Sequence, residues 1–411
     1  MLRRSLAITF LLFVFASTFS ISLSQSLAAI AVALGIVIVI REKSLPLTIT
    51  MRPVWAAIAI YVTWLLAVCL YQDEPLRSLD HIREEWLFVL MPLGLLALPA
   101  ATMRERLVQV LSAGLLMISV ASLLMYLFGV QYHWGDGFTP LPAGNPRVRG
   151  NFTHALTFGN YAAIASAFVI AWVTKAGDRV GRVTRWLALA SGFFGLVAVL
   201  LCGSRGPVLA FAAGMVVLIF VVSAGRRKWL IGFMVALVIV GASVPTVRSR
   251  FGRELAWHFD TEWAGGRLFI WEHSLKIIAA HPLTGVGPGN FSEAYKAALP
   301  ADVTDRYWYG HAHNDFLQAA ARSGMLGMLV FGNLWLAMGR LYRTAWKRAG
   351  PSGVAPELTA SLVGSVVFLV ASMTEATFSD EEVRILLMLV WSIGLVATYN
   401  VEAGPTARAS A

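Results

Sequence analysis

Residues 311–338 read HAHNDFLQAAARSGMLGMLVFGNLWLAM. The polar opening, His311-Ala312-His313-Asn314-Asp315, gives way to a run from Met325 to Met338 that carries no charge. A chain leaving water for hydrocarbon reads this way. Inside lipid no water satisfies the backbone, so such a segment must close its own hydrogen bonds as a helix. The composition extends that reading to the whole chain. Of 411 residues, 57% are hydrophobic and only 14% are charged, with a mean hydropathy of +0.68. Soluble domains run at about 45–50% apolar and about 25% charged, and a water-soluble core could not hide this much apolar surface. The fold class expected is therefore all-α, a polytopic membrane helical bundle.

A spanning helix needs about 20 mainly apolar residues. Candidate spans centre on residues 6–22, 26–40, 53–71, 86–99, 107–129, 157–174, 186–202, 207–223, 229–245, 314–339, 357–374 and 383–400, twelve in all. Met1-Leu2-Arg3-Arg4 followed by Leu6–Phe19 has the start of a secretory signal. No small-residue cleavage site stands near Ser17–Ser26 and another apolar run follows at once, so it reads as an uncleaved first span. With the N-terminus inside, every even-numbered connection is basic. These carry Arg41, Lys43 and Arg52; Arg104 and Arg106; Lys175, Arg179, Arg182 and Arg185; Arg226, Arg227 and Lys228; and Arg340, Arg343, Lys347 and Arg348. Lys and Arg in short loops hold the cytoplasmic side, which places both termini there. The formal charge of +10 then reflects orientation rather than nucleic-acid binding. Cys69 and Cys202 lie in or beside apolar segments, so neither a disulfide framework nor a cysteine metal site is indicated.

The expected organisation is a transmembrane bundle over residues 1–245 with spans one to nine, a large helical loop on the outer side over 246–312, and spans ten to twelve with a cytoplasmic tail over 313–411. Outside segment 72–85 is acidic, with Asp73, Glu74, Asp80, Glu84 and Glu85; segment 130–156 is rich in Gly and Pro. In the longest segment, Arg267–Ala280 is expected as an amphipathic helix with Leu268, Trp271, Leu275 and Ile278 on one face. Phe291–Ala298 is expected as another, with Asn290 as its cap. His281-Pro282 and Gly285–Gly289 supply the break between them. The latter lacks the Lys-Ser/Thr ending of a phosphate loop and follows no strand, so it reads as a structural turn.

Arginines on the outer side run against the orientation bias: Arg147, Arg149, Arg205, Arg248, Arg250, Arg253, Arg267 and Arg306. Arg205 lies in Cys202-Gly203-Ser204-Arg205-Gly206-Pro207, a turn between two apolar spans, with Pro207 suited to open the next helix. A guanidinium beside a helix start forms an anion site; snorkelling to the outer headgroups explains the same residue. Arg267 follows Gly265-Gly266, and an ordinary surface pairing with Glu272 would also account for it. Arg149, His154 and Asn160 flank the start of the span at 157 and fit either cavity lining or helix-start roles. Asn314, Gln318 and Arg322 recur every four residues and make a polar stripe that must face protein or water. His313 above the stripe is a candidate general base or a hydrogen-bonded interfacial histidine. His311 and His313 could join Asp305 or Asp315 at a metal, but the spacing is not diagnostic of one.

His313-Asn314, nine residues, Gly324, two residues and Gly327 form a pattern that resembles the O-antigen ligase and polymerase superfamily, as do Gly265–Trp271 and His281–Phe291. The resemblance covers most of the chain. It implies a membrane glycosyltransferase of the bacterial inner membrane with a periplasmic active site. Its donor would be an undecaprenyl pyrophosphate-linked glycan and its acceptor a lipid A–core hydroxyl, among membrane lipids and without nucleic acid. By the same resemblance His313 is the catalytic base, with Arg205 and Arg267 as catalytic arginines on the pyrophosphate. Arg149, Asn314, His311, His154 and Gln318 would bind substrate. Inverting transfer without a metal or other cofactor is expected. O-antigen polymerase and protein O-oligosaccharyltransferase are the alternatives within the superfamily; a transporter or flippase for an anionic lipid is the alternative outside it.

Overall fold

The computed structural model describes residues 1–133, 137–142, 146–243, 266–300 and 309–407. Among these the chain is helical apart from a two-stranded hairpin, Val130–His133 against Gly137–Pro140, in register from Val130 opposite Pro140 to His133 opposite Gly137. The first ten helices are α1 Leu2–Ala16, α2 Ile21–Glu42, α3 Arg52–Leu70, α4 Pro75–Asp80, α5 Leu90–Ala97, α6 Ala101–Leu127, α7 Ala155–Ala176, α8 Arg182–Leu201, α9 Arg205–Val221 and α10 Ala224–Ser243. They are followed by α11 Arg267–Ala280, α12 Phe291–Ala298, α13 Asp315–Gly353, α14 Pro356–Ala371 and α15 Glu381–Ala407.

Seven segments among the described residues are long and apolar enough to cross a membrane: Ile21–Glu42, Ile49–Leu70, Ala101–Leu127, Ala155–Arg179, Arg182–Leu201, Asp315–Gly350 and Glu381–Ala403. The chain is a multi-pass helical membrane protein. Twelve spans are not shown: most of the remaining apolar stretches form shorter or broken elements, and the 20-residue α10 ends at Ser243, where the described residues stop. α1 has 15 residues, and α9 and α14 are apolar but short. The clearest departure is residues 86–99. There a 3-10 segment, Arg83–Val89, leads into the eight-residue α5, which is almost wholly buried and packs on α15. Hydropathy does not separate a segment buried in protein from one facing lipid, since both must be apolar.

α7 is the centre of the bundle. It packs against α8, α9, α14 and α15, and 94% of its apolar window is buried, against 28% for α2. Ala162, Ala163, Ala165, Ser166, Ala167 and Ala171 keep its surface thin, so neighbours approach closely and gain dispersion contacts. At Gly195 of α8 a Cβ would come within 2.1 Å of Ser166 Oγ. α2 by contrast presents Ile30, Ile36 and Ile40 outward, as lipid allows.

The long α13 is broken directly after the last residue of its polar stripe, Arg322. Ser323 and Gly324 leave helical geometry, Gly324 at φ +76°. The His281–Gly289 turn docks in the gap: Val286 N–H donates to Ala321 O at 2.8 Å and Met325 N–H to Pro282 O at 2.9 Å. Trp64 Nε1 of α3 donates to Ser323 O, which the kink has freed. The glycine motif therefore has a steric cause. A Cβ on Gly324 would sit 1.9 Å from Leu283 O, and one on Gly327 1.9 Å from Ser323 Oγ.

The two outer helices have the expected bounds, but α11 presents a different face. Phe269, Ile270, His273, Ser274, Ile277 and Ile278 are buried, whereas Leu275 is exposed. The buried side follows contact with α12 and α13 rather than the strongest apolar stripe. Asn290 stands at the N-cap of α12 without capping it, since its side-chain amide donates to Val286 O. Pro207 lies in the first turn of α9, which Arg205 itself opens. Arg248, Arg250, Arg253, Asp305 and Arg306 lie outside the described residues.

Candidate active site

The site is built on the turn between α14 and α15. Ser372 O accepts from Asp315 N–H, and Met373 O from the Asn314 amide, so the start of α13 is tied to this turn. Asn314 also caps α13, its Oδ1 accepting from the N–H groups of Phe316 and Leu317. Asp315 is buried and turned away from the histidines. It accepts from Thr377 Oγ1 at 2.9 Å and Phe378 N–H at 3.1 Å. That geometry removes it from the proposed histidine metal set. Gln318 Oε1 accepts from Ala312 N–H at 2.8 Å, which clamps the segment carrying both histidines.

The clamp puts His313 at φ +50°, a left-handed conformation uncommon outside glycine. The two imidazoles lie 4.2 Å apart between centroids, tilted by 71°. Between them and α11 lies a residue that the sequence reading missed, Glu375. Its Oε1 is 2.7 Å from His313 Nδ1 and accepts from Ala376 N–H at 3.2 Å. Its Oε2 accepts from Arg267 Nη2 at 3.1 Å. His311 Nδ1 stands 3.5 Å from the same Oε1 and makes no hydrogen bond among the described residues. Glu375 occupies a short polar turn next to Asp380, Glu381 and Glu382. No local feature of the sequence sets it apart from those neighbouring acids.

Burial pushes the Glu375 carboxyl up, but the hydrogen bond and charge of His313, with Arg267 and His311, outweigh it and hold the group down at about 2. Glu375 is thus a carboxylate. As the partner at His313 Nδ1 it leaves Nε2 as the ring nitrogen open to exchange a proton with a substrate. His311 is pushed down to about 4, first by burial and then by His313 and Arg267, with Glu375 opposing; His154 adds to the lowering. It is neutral at ordinary pH. Burial also pulls the Arg267 guanidinium down while Glu375 supports it. Asp380 accepts from Thr157 Oγ1 at 3.0 Å and is pushed up to about 7, by burial and then by Glu375.

Arg205 belongs to the neighbouring wall. Arg147 donates through Nε to Cys202 O at 2.9 Å and through Nη2 to Ser204 Oγ, which fastens the 146–150 loop to the turn before α9. A Cβ on Gly206 would lie 2.9 Å from Thr374 Oγ1, so the first turn of α9 abuts the residue preceding Glu375. Arg149 donates to Thr153 O within its own loop. His154 is exposed at the N-cap of α7. The structure therefore gathers Arg267, His311 and His313 on one carboxylate, ties Asn314 and Gln318 beneath them, and sets the Arg205 turn alongside.

Residues 188–332 match the O-antigen ligase family model. No curated protein matches the chain. The match begins within α8 and ends within α13. It includes Arg205, Arg267, His311, His313 and the kink glycines, and it leaves out Glu375, Arg149 and His154. The O-antigen ligase match is to a family of glycan-transferring membrane enzymes.

His311, His313 and Glu375 also offer ligand atoms within 4.8 Å of one another, close enough for a metal ion. The Arg267 guanidinium already occupies the second oxygen of Glu375, and its charge opposes a cation there.

Proposed function

We propose that this protein is an O-antigen ligase that transfers a glycan from an undecaprenyl pyrophosphate carrier to a hydroxyl of lipid A–core at the periplasmic face of the inner membrane. The observation that carries the reading is the convergence of Arg267, His311 and His313 on Glu375 inside a chain whose residues 188–332 match the O-antigen ligase family. His313 Nε2 takes the proton of the acceptor hydroxyl as its oxygen attacks the anomeric carbon. The bond to the pyrophosphate oxygen breaks, and the configuration inverts. Glu375 stabilises the imidazolium that forms, as a carboxylate partner does for any histidine base. Arg205 and the remaining N–H donors of Arg267 take the charge that grows on the departing pyrophosphate. Arginines in this role supply what a divalent ion would, so transfer proceeds without metal. Arg149, His154, His311, Asn314 and Gln318 shape the donor and acceptor ends of the pocket.

The test is the purified protein with a lipid-linked glycan and lipid A–core, in buffer containing chelator. A larger lipid A–core product is expected. His313→Ala should lower turnover by about 10²–10⁴-fold, the contribution of a placed base, with donor binding retained. Arg205→Ala and Arg267→Ala should weaken both binding and turnover. Full activity of His313→Ala would remove the base; activity restored only by a divalent ion would turn the His311–His313–Glu375 cluster into a metal site.

A further inference from the structure

At the C-terminal end of α7, away from the candidate active site, lies a groove of 580 Å³ between α7, α8 and α10. Its volume falls in the range of about 300–1,000 Å³ typical of small-ligand clefts. α7 has 22 residues, which at 1.5 Å each separates this groove from the candidate active site by about 30 Å. The walls are apolar and open outward: Leu189, Phe193 and Trp229 are all exposed. The mouth is basic. Arg226 is anchored by donation through Nη1 to Thr174 O at 2.7 Å and Lys175 O at 3.3 Å. Arg185 donates through Nη2 to Gly177 O and Asp178 Oδ1, while its Nε is buried with no hydrogen-bond partner. A buried guanidinium N–H without an acceptor costs free energy unless a ligand or water supplies one. The Asp178 carboxylate on this rim is almost fully exposed, with 96% of its side chain in solvent.

We propose that this groove binds one anionic glycerophospholipid, its phosphate accepting from Arg185 and Arg226 and an acyl chain lying along Leu189 and Phe193. Two guanidiniums with fixed carbonyl anchors match a phosphate in charge and geometry. The exposed apolar wall directly behind them suits a chain rather than a free ion. Basic pockets between spanning helices on the side of the basic loops suit anionic lipid headgroups, and Trp229 has the character of an interfacial anchor. The bound lipid would join the α7–α8 turn to α10.

The experiment uses the full-length protein purified in non-ionic detergent. Unfolding temperature is followed against cardiolipin, phosphatidylglycerol, phosphatidylethanolamine and inorganic phosphate, and native mass spectrometry identifies retained lipid. Cardiolipin and phosphatidylglycerol should raise the unfolding temperature; phosphatidylethanolamine and phosphate should not. The double substitution Arg185→Gln with Arg226→Gln should weaken the apparent affinity at least about tenfold, the worth of one charge-assisted hydrogen bond, and Phe193→Ala should shorten lipid retention with the arginines intact. An equal shift with phosphatidylethanolamine would overturn the proposal, as would a zwitterionic lipid as the species retained by the unaltered protein. An equal shift with phosphate alone would overturn the role of the acyl chain. If the double variant does not fold, the headgroup comparison on the unaltered protein decides the matter.

Discussion

At the scale of single residues, Glu375 orders the site. It accepts from Arg267 and from the Ala376 N–H, and it pairs with His313 Nδ1 at 2.7 Å. Replacing the carboxylate by an amide keeps the shape but loses the charge at His313 Nδ1. Glu375→Gln should therefore lower turnover by about 10²–10⁴-fold with little change in donor KM, and Glu375→Asp should recover part of the loss. An unaltered turnover would make the dyad purely structural. Asp380 offers a pH readout. Its carboxyl holds a proton in the folded protein up to about 7, well above the unfolded value of about 3.9. The folded state thus binds more protons between these values, and the Asp380 contribution to stability falls as pH rises through that window. Asp380→Asn should raise the unfolding temperature by an amount that grows from pH 4 to pH 7 and is flat above it. A pH-independent difference would place the titration elsewhere. His313, Arg267 and Arg205 stand out in the sequence as a histidine before a span and as arginines on the unexpected side, but only the family resemblance gave them catalytic roles. Glu375 does not stand out, because an acid in a short outer turn has no local mark that distinguishes it from Glu381 or Glu382.

At the scale of elements, the break in α13 makes the gap in which the His281–Gly289 turn docks. Gly324 has φ +76°, and a Cβ there meets Leu283 O at 1.9 Å. Gly324→Ala should cost about 1–3 kcal/mol for the forced conformation, with additional loss from expelling the His281–Gly289 turn. The measurement is thermal unfolding together with protease access to that turn; an unchanged protein would mean that the turn does not depend on the kink. The buried charges nearby form a second joint. Glu85 pairs with Arg384, which lies over the Phe378 ring at 4.1 Å, and Arg322 approaches Glu85 at 3.6 Å. Removing one partner leaves a buried charge unpaired, so Glu85→Gln should destabilise by about 3–5 kcal/mol, read as a lowered unfolding temperature. A shift under 1 °C would show that water already solvates the arginines. Periodicity predicted both outer helices and their limits, yet the buried face of α11 was chosen by its neighbours.

At the scale of the whole molecule, charge and hydropathy predict the direction of the chain. Single cysteines at Arg226 and Arg343 in a background lacking Cys69 and Cys202 should react with a membrane-impermeant thiol reagent only after the inner face is opened, whereas one at His154 should react in intact spheroplasts. The reverse pattern would invert the molecule and move the candidate site to the cytoplasm. Sequence alone determined that this chain is a helical membrane protein, because 57% apolar residues leave no other solvent for most of its surface. It also marked the His313-Asn314 segment and the kink glycines, whose demands are local: a cap, a left-handed turn and a close backbone approach. Only the tertiary structure decided which apolar stretches are buried in protein, as α5 is, since lipid and protein interiors select the same residues. Only it brought Arg267, His313 and Glu375 together across 108 residues of chain between the first and the last, because a charge constellation of that kind is defined by distance in space and leaves no spacing to read.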